Sequence, residues 1–166
     1  MPALSTIRTS LHGFFHWVTS GAAAVDQFAV NRRVLLHKLS EDAAAGDELA
    51  EMPIYIDSRT AGGLVVTAVK FVPAAALTAH DTNYKTVTVS WRSAAGGAAT
   101  VVATGTTKTS GGGGSGNWTA FVPVSLPVTA ANATLPAGGQ LTFLFSKAGT
   151  GVKLPAGTLV VEYEEL

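Results

Sequence analysis

The longest uncharged stretch of this chain covers residues 109–146. A membrane-spanning helix needs about 20 consecutive, mostly apolar residues, but this stretch is interrupted by the four glycines at 111–114 and by Pro123 and Pro127. Much of the remainder is Thr, Val and aromatic residues, which favour strands. The stretch therefore predicts strands and turns with a neutral surface, and it offers none of the acids, bases or cations that most catalysis uses.

The composition favours a packed domain without a strong charge preference for any partner. Of the 166 residues, 47% are hydrophobic and 13% are charged, which is typical of a folded protein. Lys and Arg together number 11, as do Asp and Glu, so no overall field attracts nucleic acid or an anionic membrane. With no cysteine, disulfides and thiolate metal sites are excluded. We expect no nucleic-acid partner, no membrane association, no metal and no cofactor.

Alternation of apolar and polar side chains dominates from about residue 52 onward, and this period predicts strands. Glycine-rich turns separate the strands without helical patterns between them, which indicates a sandwich or barrel. We predict an all-β fold, a β-sandwich of about eight strands in the manner of a jelly roll. The acidic connector at 41–51 is expected to be a solvated loop. The predicted strands cover residues 32–39, 53–57, 64–72, 86–92, 100–106, 118–126, 141–145 and 159–164.

The first 31 residues differ from the rest and predict an N-terminal arm or short helix, which precedes a sandwich domain at 32–166. Ser10 is a suitable helix N-cap, and the apolar residues that follow it have helical spacing. A helix of about ten residues is not stable in water unless it packs against something. The segment therefore docks either on its own sandwich or on a neighbouring subunit, and the sequence leaves both open.

Two patterns with catalytic spacing lack the context that their chemistry requires. Gly111, Gly113 and Gly116 match the letters of a dinucleotide-binding fingerprint, but a strand pattern follows where a helix is needed. Glu162 and Glu164 share one strand face about 6.5 Å apart, a separation within the range of glycosidase carboxylate pairs. Nothing marks either as a proton donor, and we expect both to be solvated. The sequence predicts no catalytic residue and no enzyme.

Trp91 and Trp118 are the tryptophans of the strand region. Trp91 alternates with Val87 and Val89 and is predicted to lie in the core. Trp118 directly follows the glycine loop, where it could lie at a rim and stack against a sugar. Trp118 is therefore the glycan contact in an alternative interpretation, that of a carbohydrate-binding module.

Three segments, Leu77–Tyr84, Lys147–Val161 and Asn117–Ala120, resemble turns and strands of small structural proteins from tailed bacteriophages. The resemblance covers about residues 75–163 and leaves the N-terminal third unmatched. It implies a β-sandwich virion protein, namely a head decoration (cement) protein or a related head or tail accessory. No catalytic residue comes with it.

The resemblance implies a protein that is made in the bacterial host cytoplasm, resides on the capsid surface of the virion and stabilises the capsid. Its partners would be the major capsid protein and further copies of itself, with a homotrimer favoured. The uncharged stretch at 109–146 is the expected surface between copies, because covering it carries little desolvation penalty. The alternative is a carbohydrate- or receptor-binding module of a head fibre or tail.

The expected contact with the capsid or a neighbouring subunit lies mainly in the N-terminal segment. Its large apolar side chains form the densest such cluster outside the strands, and burial of each one stabilises an interface by about 1.5–3 kcal/mol. Two arginines at the start of the first predicted strand are expected to add polar contacts. The predicted contact residues are Leu11, Phe14, Phe15, Trp17, Val18, Arg32 and Arg33.

Overall fold

The structure, a computed structural model, describes residues 32–54 and 63–166. The predicted arm or helix at 1–31 lies outside these residues, as does the end of the second predicted strand, 55–57. Within the described ranges, no helix is long and apolar enough to cross a membrane.

The described residues form nine strands in two antiparallel sheets that pack against each other. The prediction of an all-β sandwich is confirmed. In the described ranges, a 3-10 turn at Ala130–Asn132 separates the two short strands β6 and β7. The strands are β1 Arg32–Leu39, β2 Leu49–Ile54, β3 Leu64–Pro73, β4 Tyr84–Arg92, β5 Thr100–Thr106, β6 Val124–Leu126, β7 Thr134–Leu135, β8 Gln140–Ala148 and β9 Gly157–Glu165.

The strand pairing is nested, so that the first strand pairs with the last. β1 pairs with β9, β2 with β8, β3 with both β6 and β7, and β4 with β5. The first sheet has the order β1-β9-β3-β6, and the second has the order β2-β8-β4-β5. If β6 and β7 are counted as one interrupted strand, the nested pairs form one long antiparallel hairpin of eight strands, which folds into the two sheets. This is the topology of a jelly roll.

The core lies between the two sheets and consists of the inward side chains of the alternating strands. Trp91 packs against it as predicted, with its indole N–H donating to the carbonyl of Asn132 at 3.0 Å. Because each strand exposes its other face, the outer faces of both sheets are free to carry polar or functional side chains. The fully buried core residues include Leu64, Val66, Val69, Phe71, Val87, Val89, Leu141, Phe143, Leu159 and Val161.

One predicted strand, 118–126, is much shorter in the structure. β6 covers only Val124–Leu126, and Trp118 makes just an isolated bridge with Leu77. Between them the chain turns at Phe121, whose φ angle is +61°. Pro123 has no N–H to donate to a ladder, so the strand begins only after it.

The connector at 41–51 is solvated only in part: many of its residues are exposed as predicted, but Asp42 is tied to the interior, and β2 already begins at Leu49. The Lys85 side chain is completely buried, and its ammonium group contacts a carboxylate oxygen of Asp42 at 2.7 Å and the carbonyl of Asp47. The same Asp42 oxygen accepts the backbone N–H of Leu154 at 3.0 Å. An ammonium group is buried at acceptable cost only when it is paired and hydrogen-bonded. The connector is therefore fixed against the end of the sandwich.

The connector continues into β2, where Glu51 joins two strands of the second sheet. Its two carboxylate oxygens accept from the Arg92 guanidinium at 2.9 and 2.5 Å, and the hydroxyl of Thr142 donates to it at 2.5 Å. The hydrogen bond from Arg92, followed by the one from Thr142, lowers the pKa of Glu51 below its ordinary value. The edge strand β2 is thus joined to β4 by a bidentate ion pair and to β8 by a hydrogen bond.

We predict that Asp42→Asn destabilises the protein by about 3–5 kcal/mol, because it leaves the buried Lys85 ammonium without its counter-charge. The neighbouring Glu41 is the matched control, since its ion pair with Lys153 is solvent-exposed. Glu41→Gln should cost less than about 1 kcal/mol. Urea unfolding measures both values. Equal losses for the two variants would contradict a structural role for the buried pair.

The lowered pKa of Glu51 predicts an acid-dependent part of the stability. A carboxyl group whose pKa is depressed in the folded state stabilises the fold above its unfolded value and loses that contribution as the pH falls through the folded value. Glu51→Gln should therefore reduce the fall in Tm between pH 6 and pH 3 while lowering Tm at pH 6. Thermal unfolding followed by circular dichroism tests this. An unchanged pH dependence in the variant would argue against the ion pair.

Candidate interaction surface

The outer face of the first sheet exposes large apolar side chains at its edge. In β1, Leu35 and Leu39 pack against the core, so the alternate residues Val34, Leu36 and Lys38 point away from it. Val34 is 60% exposed and Leu36 is 64% exposed. Neither side chain contributes much to the core, and both are available to a partner.

The strand register extends this apolar strip across the sheet. Leu36 lies opposite Val160 of β9, and Val160 lies opposite Lys70 of β3. The Lys70 ammonium is 2.5 Å from the carboxylate of Glu162, which lies opposite Val34. Glu162 and Lys70 are therefore paired with each other within the sheet. The apolar side chains are the part of this face that remains available for a partner.

A shallow hollow of about 290 Å³ opens at the end of this outer face. The last row of the face consists of Lys38, Thr158 and Val72, which lie side by side in β1, β9 and β3. All three line the hollow, and the far wall is Phe121. The hollow therefore joins the outer face to the turn before β6. Its remaining lining residues are Leu39, Ala74, Ala156 and Gly157.

Phe121 is the most unusual residue of the described chain. Its side chain is 76% exposed, and its φ of +61° lies in the left-handed region that bulky residues avoid. Its backbone N–H donates to the carbonyl of Pro73 at 2.8 Å, and the N–H of Val122 donates to the carbonyl of Thr119 at 3.2 Å. With Pro123 following, the turn holds the backbone of Phe121 in place and directs its aromatic ring toward the solvent. Such strained positions cluster at functional sites.

Another opening, of about 430 Å³, lies between the edge strands β1 and β2. Its floor consists of core side chains, and the ring of His37 lies 5.0 Å from that of Phe143. Two of its acidic lining residues already form ion pairs, Asp42 with Lys85 and Glu41 with Lys153. We interpret this opening as the gap between two edge strands.

Trp118 does not lie at the rim that the alternative interpretation requires, but points inward, as the alternation of the predicted strand at 118–126 indicates. The side chain is only 2% exposed, its ring lies 5.4 Å from that of Phe71, and its indole N–H donates to the carbonyl of Gly114 at 2.7 Å. The glycine loop folds over the ring instead of presenting it. A buried indole has no free face on which a sugar could stack.

Arg32 and Arg33 are the predicted contact residues that the structure describes. Both are exposed on β1, where Arg32 pairs with Glu164 at 2.9 Å and Arg33 pairs with Glu165 at 2.7 Å. These ion pairs join β1 to β9, so the arginines already have partners within the subunit. The remaining predicted contact residues, Leu11, Phe14, Phe15, Trp17 and Val18, lie outside the described residues.

The uncharged stretch at 109–146 has a simpler explanation than a surface between copies. Much of it is uncharged because its large apolar side chains enter the core, and only Phe121 and Val122 among them are strongly exposed. The exposed pair precedes Pro123, and that proline is the sequence signal that could have marked a break in the alternation. Its buried members include Trp118, Leu126, Leu135, Leu141, Phe143 and Phe145.

No protein-family model matches this chain, and no curated protein sequence aligns with it significantly.

We predict that Phe121→Gly stabilises the folded protein by about 1 kcal/mol, because glycine adopts a positive φ without strain. The phenyl ring contributes little burial that could offset this gain. Val122→Gly is the control, since a glycine there relieves no left-handed residue and should destabilise the protein. Urea unfolding compares the two variants with the wild type. A loss of stability in Phe121→Gly would mean that the ring supports the fold.

Proposed function

We propose that this chain is a structural virion protein that binds the outside of an assembled phage head and stabilises it, as decoration or cement proteins do. The observation that carries the proposal is the strong exposure of Val34 and Leu36 on the outer face of the first sheet and of Phe121 at the hollow that adjoins this face. Exposed apolar patches of this kind mark interaction sites. The resemblance of residues 75–163 to phage structural proteins supplies the identity of the partner, the major capsid protein.

The proposed activity is to hold the subunits of the shell together by binding, and not to catalyse a reaction. A protein that binds the assembled shell but not its separated parts stabilises the shell by mass action. An apolar anchor contributes about 1.5–3 kcal/mol when it becomes fully buried, so a few anchors per subunit are enough for attachment. The proposed anchors are the exposed residues of the outer face, together with the apolar cluster of the N-terminal segment.

The acidic side chains support a non-enzymatic role, because those that could pair for catalysis are engaged. Glu162 pairs with Lys70, Glu164 with Arg32, and Glu51 with Arg92. Each carboxylate is thus a partner of a cation instead of a free acid or base. The alternative of a carbohydrate-binding module receives no support from Trp118, because that side chain is buried.

We further propose that copies of the chain associate, with a homotrimer favoured by the resemblance to decoration proteins. The formal net charge of zero removes long-range repulsion between copies. Closed cyclic symmetry would then place identical contact surfaces at several points on the shell.

The direct test uses phage heads that assemble without this protein. We expect the purified full chain to co-sediment with such heads, to saturate at a fixed number of copies and to raise the temperature at which the heads lose their DNA. The matched control is the dissociated major capsid protein, which it should bind much more weakly. Absence of co-sedimentation, or equal binding to dissociated subunits, would contradict the proposal.

A further inference from the structure

We propose that the hollow beside Phe121 is the site at which the shell protein docks, and that it receives one large apolar side chain accompanied by a nearby carboxylate. This inference rests on the proposed function and specifies the contact. The occupant is a loop of the shell protein that presents Leu, Ile, Met or Phe within a few residues of Asp or Glu.

The residues that line the hollow determine which kind of side chain it can receive. Its walls are apolar, formed by side chains such as Leu39, Val72, Ala156 and Phe121. Among the described residues that line it, Lys38 is the only charged one. An apolar side chain therefore fits the interior, and a carboxylate beside it would meet the ammonium group at the rim. Such complementarity gives orientation and specificity to a contact.

The size of the hollow favours a side chain over a free small molecule. Its volume of about 290 Å³ lies at the lower limit of small-molecule pockets, which typically measure about 300–1,000 Å³. It is also shallow and opens onto the surface, so a small ligand would remain largely in water. A side chain that belongs to a larger surface avoids this problem, because the surrounding contact excludes the solvent.

The backbone at Phe121 provides an independent argument for a protein contact. The φ of +61° and the hydrogen bond from its N–H to the Pro73 carbonyl hold the aromatic ring at the surface. Aromatic side chains are enriched in the cores of interfaces. The backbone that carries the ring is already held, so this turn needs no ordering on binding, and such preorganisation increases affinity.

The hollow is also continuous with the apolar strip of the outer face. Lys38 belongs to both, and Leu36 and Val34 precede it on the same side of β1. The distance along the strand from Val34 to Lys38 is about 13 Å. A docked loop can therefore place one side chain in the hollow while its neighbours cover the strip.

The experiment compares four full-length proteins in binding to heads assembled without this chain. Phe121→Ser removes one wall, and Lys38→Glu reverses the charge without altering the ring. Val101→Ser is the control, because Val101 is also exposed, at 42%, but lies on β5 in the other sheet. We expect Phe121→Ser and Lys38→Glu each to weaken binding by about tenfold or more, and Val101→Ser to bind like the wild type. Circular dichroism confirms that each variant is folded.

The outcomes separate this inference from the function on which it rests. If the wild type does not bind heads, both fail. If it binds while Phe121→Ser and Lys38→Glu bind as well as Val101→Ser, the docking site is wrong but the function stands. Sedimentation of the free proteins provides the last distinction. A loss of self-association in Phe121→Ser with unchanged head binding would identify the hollow as a contact between copies and overturn the proposal.

Discussion

The buried ion pair between Lys85 and Asp42 is the interaction on which the arrangement of the sandwich depends. Lys85 lies in β4 of the second sheet, whereas Asp42 lies in the connector that crosses from β1 to β2. The backbone N–H of Asp42 donates to the carbonyl of Leu154, and its carboxylate accepts the N–H of the same residue. One carboxylate thereby joins the connector to the second sheet and to the loop before β9. Because a buried ammonium group without its counter-charge is strongly unfavourable, this connection is hard to break while the protein remains folded.

That connection also positions the candidate site. The connector leaves β1 directly after Leu39, and Lys38 and Leu39 form one side of the hollow. The first sheet forms another wall through Val72, and the turn before β6 supplies Phe121. Holding the end of β1 in place therefore holds the walls of the hollow at a constant spacing. A preformed site of this kind does not need to be ordered by its partner.

Much of the fold follows from alternation, but the site does not. The period of two predicts which residues of a strand share a face, and it correctly identifies β4, β8 and β9, while the less regular candidates at 32–39, 64–72 and 100–106 also match strands. The same period places Lys85 on the inward side with Val87 and Val89, a signal that marks it as a buried cation. Its partner Asp42 could not be predicted, because the contact joins residues far apart in sequence through the path of a loop.

Phe121 shows a second limit of the pattern. Read as a strand, residues 118–126 continue their alternation past Pro123, and nothing in the period reveals a left-handed residue. Trp118 is the converse case. Its position beside a glycine loop suggests an exposed side chain, but the loop covers the ring. The turn at Phe121 depends on a contact with Pro73, which is distant in sequence, whereas the hydrogen bond of Trp118 to Gly114 lies within its own loop.

Cryo-electron microscopy of the assembled phage head tests the central claim most directly, namely that the outer face of the first sheet and the Phe121 hollow contact the shell. We expect density for the jelly roll on the outside of the shell, with β1 and the turn at Phe121 directed toward the capsid surface and an apolar side chain of the shell protein in the hollow. A head whose surface carries no such density, or one in which this face points to solvent, would contradict it.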